Sequence, residues 1–263
     1  MQPVSKTTNQ REEEILREIR LSGGSCRVSY LANQLSVSNE TIRRNIKSLE
    51  DNAIVRKVHG GVHLIDDVNE APFHNRMDTH ASAKQRLAFA VAETIGDGDS
   101  IFLDIGSTTA YVALALKSRQ NLLVITNSLF VAQTLATRNN NRVFLAGGEL
   151  RADDGAAFGP EAFDLVRRFH VQFAVFSVGA VNANFGFMLH DLAEANLAHE
   201  AAKNSQVCIV VADSEKFGKR APVSIRNMKQ IDLFYTDQRP PEAIDQMLQN
   251  NDIETFVVSA QPD

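Results

Sequence analysis

The sequence predicts a two-domain α/β protein, a small winged helix-turn-helix domain followed by a larger Rossmann-like domain. Before residue 52 there are three short helical segments, and a glycine-centred hairpin pattern follows them. That order is typical of a winged helix-turn-helix. From residue 84 onward apolar runs alternate with helical stretches, which indicates a mainly parallel sheet covered on both faces. We place the first domain at residues 1–65, a polar linker at 66–80 and the second domain at 81–263.

The first domain is predicted from helical spacing and turn residues. Residues 10–21 carry apolar side chains at helical spacing, and residues 28–35 form a second, shorter helix. Ser38 is a suitable N-cap for a third helix, which ends near Asp51. Residues 54–64 then contain two β-rich pieces on either side of a glycine pair, and this pattern predicts a hairpin.

In the second domain the apolar runs are short enough to be strands. We expect strands at residues 101–103, 122–125, 143–146, 174–178, 207–211, 233–235 and 256–258. The predicted helices between them include residues 110–117, 129–137, 161–168 and 192–204. Because the carboxyl ends of parallel strands meet at one edge of a sheet, ligand-binding residues are expected in the loops there.

Charge and composition narrow the function classes. The chain carries a net charge of −5, but residues 1–65 carry +3 and the remainder carries −8. Within residues 1–65, called the head, the basic residues cluster at 43–47 and 56–57. A basic head on an acidic body suits nucleic-acid binding by the head. No apolar run is long enough for a membrane span, and the polar first 20 residues do not suggest a signal peptide. The two distant cysteines and the scattered histidines suggest no metal, no cofactor and a cytoplasmic location.

The polar residues of the third helix and the wing are the candidates for DNA binding. Arginine pairs with guanine and asparagine with adenine, whereas lysine and threonine suit phosphates. The alternative is an ordinary solvated helix face. The candidate residues are Ser38, Asn39, Thr41, Arg43, Arg44, Asn45, Lys47, Arg56, Lys57, His59, Gly60 and Gly61.

Three predicted strand ends carry small or polar residues that could bind an anionic ligand. The first is Asp104 to Thr109, between a strand and a helix, where backbone N–H groups and hydroxyls suit an oxyanion and Asp104 could accept hydrogen bonds from sugar hydroxyls. The others are Thr126 to Ser128, and Gly147-Gly148 with Arg151 close behind. Each alone could be a simple helix cap, so the prediction depends on their convergence.

The first domain resembles the DNA-binding domain of the DeoR family. The resemblance lies in the stretch from Leu31 to Ile46, followed by Leu49-Glu50 and His59-Gly60-Gly61, and it extends over nearly all of residues 10–237. One departure is Asn45, where the family usually has aspartate.

The resemblance implies a second domain similar to ribose-phosphate isomerase, with phosphorylated sugars or polyols as effectors. It implies an effector site made of Asp104, Gly106, Ser107, Thr108, Thr109, Thr126, Asn127, Gly147, Gly148 and Arg151. Lys216, within a further family motif at 213–218, could pair with the phosphate, and Gly179 lies at another strand end. Ala198 departs from the family, which usually has lysine there.

The function predicted is a sequence-specific transcriptional regulator, most simply a repressor of a sugar or polyol operon. It would bind operator DNA as a dimer or higher oligomer and leave it when the effector binds. One alternative is an isomerase-like enzyme with an appended head, but residues 179–183 lack the acids that such chemistry needs. Another is a winged helix that binds protein or RNA.

Overall fold

A computed structural model describes residues 9–22, 24–52, 54–64 and 70–259. The first domain consists of three helices and a three-stranded antiparallel sheet. Its elements are α1 (Gln10–Leu21), β1 (Ser25–Arg27), α2 (Val28–Gln34), α3 (Asn39–Asp51), β2 (Val55–Val58) and β3 (Gly61–Leu64). The strand order is β1-β3-β2, so the predicted hairpin is confirmed and β1 extends it by a strand that the sequence did not predict.

Helix α3 is fixed at its start by a side-chain cap and along its length by an apolar stripe. The Ser38 hydroxyl accepts a hydrogen bond from the Thr41 backbone N–H at 3.1 Å, which satisfies a free donor of the first turn. Ile42, Ile46 and Leu49 are completely or almost completely buried against the other two helices and the wing. Because three anchors share one face, the opposite face of α3 must point outward.

The second domain contains a seven-stranded, wholly parallel sheet. Its strands are β4 (Ser100–Leu103), β5 (Leu123–Thr126), β6 (Arg142–Leu145), β7 (Val171–Ser177), β10 (Ser205–Val211), β12 (Leu233–Thr236) and β13 (Glu254–Val257). They lie in the order β13-β12-β10-β7-β4-β5-β6. Its helices are α4 (Phe73–Asp78), α5 (Ala81–Thr94), α6 (Ser107–Ala115), α7 (Leu129–Leu135), α8 (Pro160–Val166), α9 (Leu192–Lys203) and α10 (Glu242–Asn250). The predicted fold class is therefore confirmed.

The two faces of this sheet form separate apolar cores. Ile101 and Leu103 of β4 pack into one core with α5, α6 and α7, whereas Phe102, between them, packs into the other core with α8, α9 and α10. This alternation follows from the two-residue period of a strand, and burial on both faces explains why the strands are apolar throughout.

The chain changes direction within the sheet at the β4–β7 pair. From β4 the chain moves outward through β5 to β6, then crosses back to β7 and continues outward on the other side. In an open parallel sheet a ligand site forms beside such a reversal, outside the carboxyl ends of the strands. The fold thus places the loops after β4 and β7 at the centre of any ligand site.

Two features of the second domain were not predicted. A small antiparallel sheet of β8 (Ala180–Asn182), β9 (Gly186–Leu189) and β11 (Val223–Ser224) follows β7. Part of the expected linker, α4, is a helix that packs on the second domain, since the Tyr111 hydroxyl donates to the Met77 carbonyl oxygen at 3.0 Å. Of the expected linker at 66–80, residues 66–69 lie outside the described residues.

Candidate nucleic-acid interface and ligand site

The outward face of α3 carries the basic side chains that the sequence singled out. Arg43, Arg44 and Lys47 are exposed, and so is Asn39 at the start of the helix. The nearest acid, Glu40, lies 3.9 Å from the Arg43 guanidinium, with 65% of the arginine side chain and 83% of the glutamate side chain exposed. Such a solvated pair is weak, so the arginine can exchange it for a stronger partner.

Asn45 is not on that face, and the expectation that it lies there was wrong. It is buried, and its side-chain amide donates a hydrogen bond to the Thr41 carbonyl oxygen at 2.8 Å, one turn earlier in the helix. The helical period of 3.6 residues explains this, since position 45 lies next to the buried positions 42, 46 and 49. Thr41 itself is partly exposed, and its hydroxyl contacts the Ser38 hydroxyl at 2.9 Å.

The wing presents a second group of exposed polar residues. Arg56, Lys57, His59 and Gly60 are all exposed, and Gly60 has a positive φ of 75° with open space around it. Gly61 differs, because a side chain there would meet the Cys26 carbonyl oxygen at 2.6 Å. Its glycine is thus required by the packing of β1 against β3. Lys57 pairs with Glu50 of α3 at 2.7 Å and so ties the wing to the helix.

The predicted strand-end loops meet at one edge of the large sheet. Asp104 follows β4, Thr126 ends β5, Gly147 follows β6, Gly179 follows β7 and Asp213 follows β10. All five strands are parallel and adjacent in the order β10-β7-β4-β5-β6. The structure therefore brings the sequence-predicted effector residues to the same side of the sheet.

Asp104 and Asn127 are the most unusual polar residues at this edge. Both have no exposed surface, and neither the carboxylate oxygens of Asp104 nor the amide atoms of Asn127 make a hydrogen bond of normal geometry within the described part of the chain. The Ile105 N–H and the Asn127 amide nevertheless lie close enough to Asp104 to favour its charged form. Burial raises the pKa of the Asp104 carboxyl. Unpaired buried polar groups cost about 1–3 kcal/mol each. Such a cost is typical of groups kept for a ligand.

The loop between β4 and α6 needs a glycine for a steric reason. Gly106 has a φ of 145°, and a side chain there would lie 1.9 Å from the Ser177 hydroxyl oxygen on β7. Helix α6 begins directly after it at Ser107, three residues earlier than the sequence predicted, so Ser107, Thr108 and Thr109 form its buried first turn. The positive end of the helix dipole thus lies beside Asp104.

Arg151 connects the loop after β6 to two acids that the sequence analysis missed. Its Nε donates to an Asp154 carboxylate oxygen at 3.0 Å, and its guanidinium lies 3.8 Å from the Glu194 carboxylate. Although burial opposes it, the hydrogen bond from Arg151 lowers the pKa of Asp154. Glu194 is buried, and burial followed by the charge of Asp104 raises the pKa of Glu194. For Asp154, the available sequence signal was its spacing of three residues from Arg151, whereas no local pattern pointed to Glu194.

Lys216 lies at the far side of the site with a second lysine that was also missed. Lys84 of α5 is buried, and its ammonium donates to the carbonyl oxygens of Arg76 and, at 2.8 Å, Thr79. The pKa of Lys84 is lowered to about 8, mainly by burial. The charge of Asp213 opposes this shift, whereas the charge of Lys216 adds to it. A lysine within the otherwise apolar stripe of α5 was the available signal.

The remaining predicted positions have mixed surroundings. The Thr126 hydroxyl accepts a hydrogen bond from the Ser128 N–H at 3.0 Å and so shapes its loop. Gly147 has open space around it, whereas a side chain at Gly148 would press on the Phe158 carbonyl oxygen at 3.0 Å.

Gly179 is buried against the His190 ring, which leaves no room for a side chain. Ala198, where the resemblance led us to expect lysine, is completely buried in the core that contains α9.

A winged helix with a basic, exposed third helix, joined to an α/β domain with a polar site at its strand ends, defines a ligand-responsive DNA-binding protein. The comparisons with known proteins agree. The family model "DeoR-like helix-turn-helix domain" matches residues 11–68 and "DeoR C terminal sensor domain" matches residues 79–238. The chain belongs to the DeoR family and is a DNA-binding transcriptional regulator.

Two relatives from Escherichia coli strain K12 cover most of the chain. The glycerol-3-phosphate regulon repressor is 34% identical over 85% of this chain and 89% of its own length. The HTH-type transcriptional repressor CsqR is 35% identical over 95% of this chain and 96% of its own. The L-fucose operon activator of Haemophilus influenzae is 27% identical and matches along its whole length. All three are named as transcriptional regulators, which is the class predicted for this chain from its sequence.

Solved structures with a similar fold include ribose 5-phosphate isomerases. The enzyme from Methanocaldococcus jannaschii is 14% identical, and the match covers 52% of this chain and 55% of its own with a TM-score of 0.40. Within the described ranges, no helix is both long and apolar enough to cross a membrane.

Proposed function

We propose that this protein is a repressor of a sugar or polyol operon, and that a phosphorylated sugar or polyol releases it from operator DNA. The exposed face of α3 would lie in the major groove, with the wing on the adjacent backbone. The effector would bind at the carboxyl edge of the parallel sheet. Binding would be to a two-fold operator by a dimer or larger homo-oligomer. Residues 1–65 would be the reading head and residues 66–80 its connection to the sensor at 81–263.

The DNA assignment is supported by what α3 leaves exposed. Arg43 and Arg44 follow each other on the outer face, where their only described acid contact is the weak one to Glu40. The wing adds the exposed Arg56 and Lys57, and the 2.7 Å ion pair between Lys57 and Glu50 holds the wing against α3. Arginine can read base edges bidentately, and lysine neutralises phosphates.

The buried polar residues Asp104 and Asn127 are the observation that supports the effector class best. Together they offer four hydrogen-bonding atoms that make no bond of normal geometry within the described residues, and these suit the hydroxyl groups of a sugar or polyol. The N-terminus of α6 and the ammonium of Lys216 supply the positive charge that a phosphate needs. The glycerol-3-phosphate regulon repressor among the relatives makes glycerol 3-phosphate the natural first probe.

The reading helix is tested by retardation of a fragment from the protein's own promoter. We expect Arg43→Ala,Arg44→Ala to lose specific binding, because each good bidentate contact is worth roughly 1–3 kcal/mol. Arg17→Ala, on the exposed side of α1, is the matched control and should bind as the wild type does. Normal retardation by the double variant, with its thermal unfolding unchanged, would refute the assignment of α3.

The effector class is tested by a thermal-shift screen of sugar and polyol phosphates. A ligand that binds only the folded state at 100 times its Kd adds about 2.7 kcal/mol of stability. We expect at least one compound to raise Tm in the wild type and to have no effect on Asp104→Ala. If the same compounds stabilise both proteins equally, Asp104 is not in the effector site.

A further inference from the structure

The segment from Glu70 to His80 lies directly on the proposed effector site. The backbone N–H of Phe73 donates to the Asp153 carboxylate at 3.2 Å, in the loop that also holds Arg151 and Asp154. The Phe73 ring packs against Phe130 of α7 with 6.0 Å between ring centroids. Two elements that form the site therefore hold this segment, which precedes the sensor in the chain and follows the DNA-binding head.

Glu70, the first described residue of this segment, occupies a position suited to an anion. Its carboxylate lies 3.0 Å from the Arg76 guanidinium and 3.8 Å from the Lys216 ammonium. The Arg76 side chain is only 12% exposed and the Lys216 side chain 21%, so both cations lie largely within the protein. The negative charge of Glu70 also adds to that of Asp104 in raising the pKa of Glu194. Glu70 therefore belongs electrostatically to the same site as Asp104.

Three cations converge where Glu70 reaches the site. Lys84 is buried beside Arg76 and feels the charge of Asp213 most, followed by the charges of Lys216, Arg76 and Glu70. Its ammonium also holds two carbonyl oxygens, of Arg76 and Thr79, at the end of α4. A cluster of partly buried cations is costly without compensating anions. Asp213 offsets the charge of Lys84, and Glu70 is the carboxylate that contacts the other two cations, Arg76 and Lys216.

We propose that Glu70 is a built-in substitute for the effector's phosphate, and that the phosphate displaces it from Lys216 and Arg76 on binding. The inference rests on the effector class proposed above and adds its regulation. A phosphate carries more charge and more acceptor oxygens than a carboxylate, so it can satisfy the same cations better. Displacing Glu70 would free the start of the segment that connects the sensor to the reading head, which gives binding a route to the DNA. A switch needs such differential contacts in its two states.

The test is calorimetric titration of the full-length protein with inorganic phosphate and, separately, with glycerol 3-phosphate. Glu70→Gln removes the competing charge but keeps the side chain's shape, so we expect phosphate affinity to rise about tenfold, within the usual range of coupling between sites. Asp78→Asn is the matched control, because it removes one charge from an exposed position of the same segment and should leave the affinity unchanged. Lys216→Ala should weaken binding, which identifies the subsite.

Two further outcomes separate this inference from the function on which it rests. If phosphate binds Glu70→Gln and wild type equally, or binds the variant more weakly, the substitution of phosphate for Glu70 is refuted while the effector class stands. If neither probe binds either protein, the displacement of Glu70 and the proposed phosphorylated effector are both refuted. The assignment of α3 as the reading helix is unaffected, because it depends only on the promoter experiment. Thermal unfolding of each variant checks that it is folded. Glu70→Asp keeps the negative charge but shortens the side chain, so its phosphate affinity should lie between those of the wild type and Glu70→Gln.

Discussion

At the scale of single residues, Gly106 is the position where shape and conformation both require glycine. Its φ is 145°, and a Cβ added there would lie 1.9 Å from the Ser177 hydroxyl oxygen, so there is no space for a methyl group. We expect Gly106→Ala to lose effector binding and to be destabilised, since the loop between β4 and α6 must move. Gly98 is the control, because it has a positive φ of 85° but open space, so Gly98→Ala should cost about 1–2 kcal/mol and keep binding. Wild-type effector affinity in Gly106→Ala would contradict this geometry.

Asp104 makes a second prediction, which concerns pH. Burial raises the pKa of Asp104, so the folded protein keeps this proton in a range where the unfolded chain has lost it. The resulting stability is fully present below the unfolded value of about 4 and is lost as pH rises through the raised pKa. Asp104→Asn removes the buried charge and should unfold at a higher temperature than wild type near neutral pH, with the gap shrinking as the pH falls.

Differential scanning fluorimetry across this pH range measures that gap, and Asp97→Asn serves as the control because Asp97 is exposed. For a protein of this size about 1 kcal/mol corresponds to roughly 2–4 °C in Tm. An Asp104→Asn protein that is less stable than wild type at every pH would mean that the carboxylate is held charged by partners. Asp104→Asn should also bind the effector poorly, so the carboxylate that lowers the stability of the folded protein would be the one that the effector needs.

Glu194 shows why some site residues could not be predicted from the sequence. Glu194 is on α9, which follows β9 in the sequence, and only the fold brings it to Arg151. The strand-end residues were predictable because parallel strands place their carboxyl ends together whatever the details of packing. Asn45 was assigned to the wrong face because its polarity was given more weight than its helical position.

At the scale of elements, α3 can be tested by a pair of substitutions with opposite expectations. Lys47→Ala removes an exposed cation from the predicted DNA face, so it should weaken binding to all sequences and lower the salt slope of log Kd by about 1. Asn45→Ala alters a buried side chain whose hydrogen bond is internal to α3, so the salt slope should not change. Fluorescence anisotropy of a labelled promoter fragment across salt concentrations measures both. Equal slopes for Lys47→Ala and wild type would place α3 outside the DNA backbone's reach.

The elements themselves differed in how far the sequence determined them. The hairpin of the wing and the seven parallel strands follow from local apolar patterns, and the structure confirms them. Strand β1 has only three residues and exists because β3 offers it a partner, which no local pattern reveals. Helix α4 is similar, since its contacts to Asp153 and Phe130 lie far away in the sequence.

At the scale of the whole molecule, residues 1–65 carry a net charge of +3 and residues 66–263 a net charge of −8. The segment from Glu70 to His80 follows the first of these parts in the chain and contacts the proposed effector site. Glu70 of this segment pairs with Arg76 and Lys216. An anionic ligand that binds these two cations would therefore change the position of Glu70. The coupling between the two sites need be only a few kcal/mol to control binding, because 1.4 kcal/mol changes an equilibrium constant tenfold.

The most direct test is the affinity for a promoter fragment with and without an effector that stabilises the folded protein. For wild type, we expect saturating effector to weaken DNA binding by roughly 5- to 150-fold. Asp104→Ala should bind DNA as tightly as wild type without effector and show no response when it is added. If the effector weakens DNA binding of both proteins equally, or of neither, the site at the strand ends does not control the reading helix.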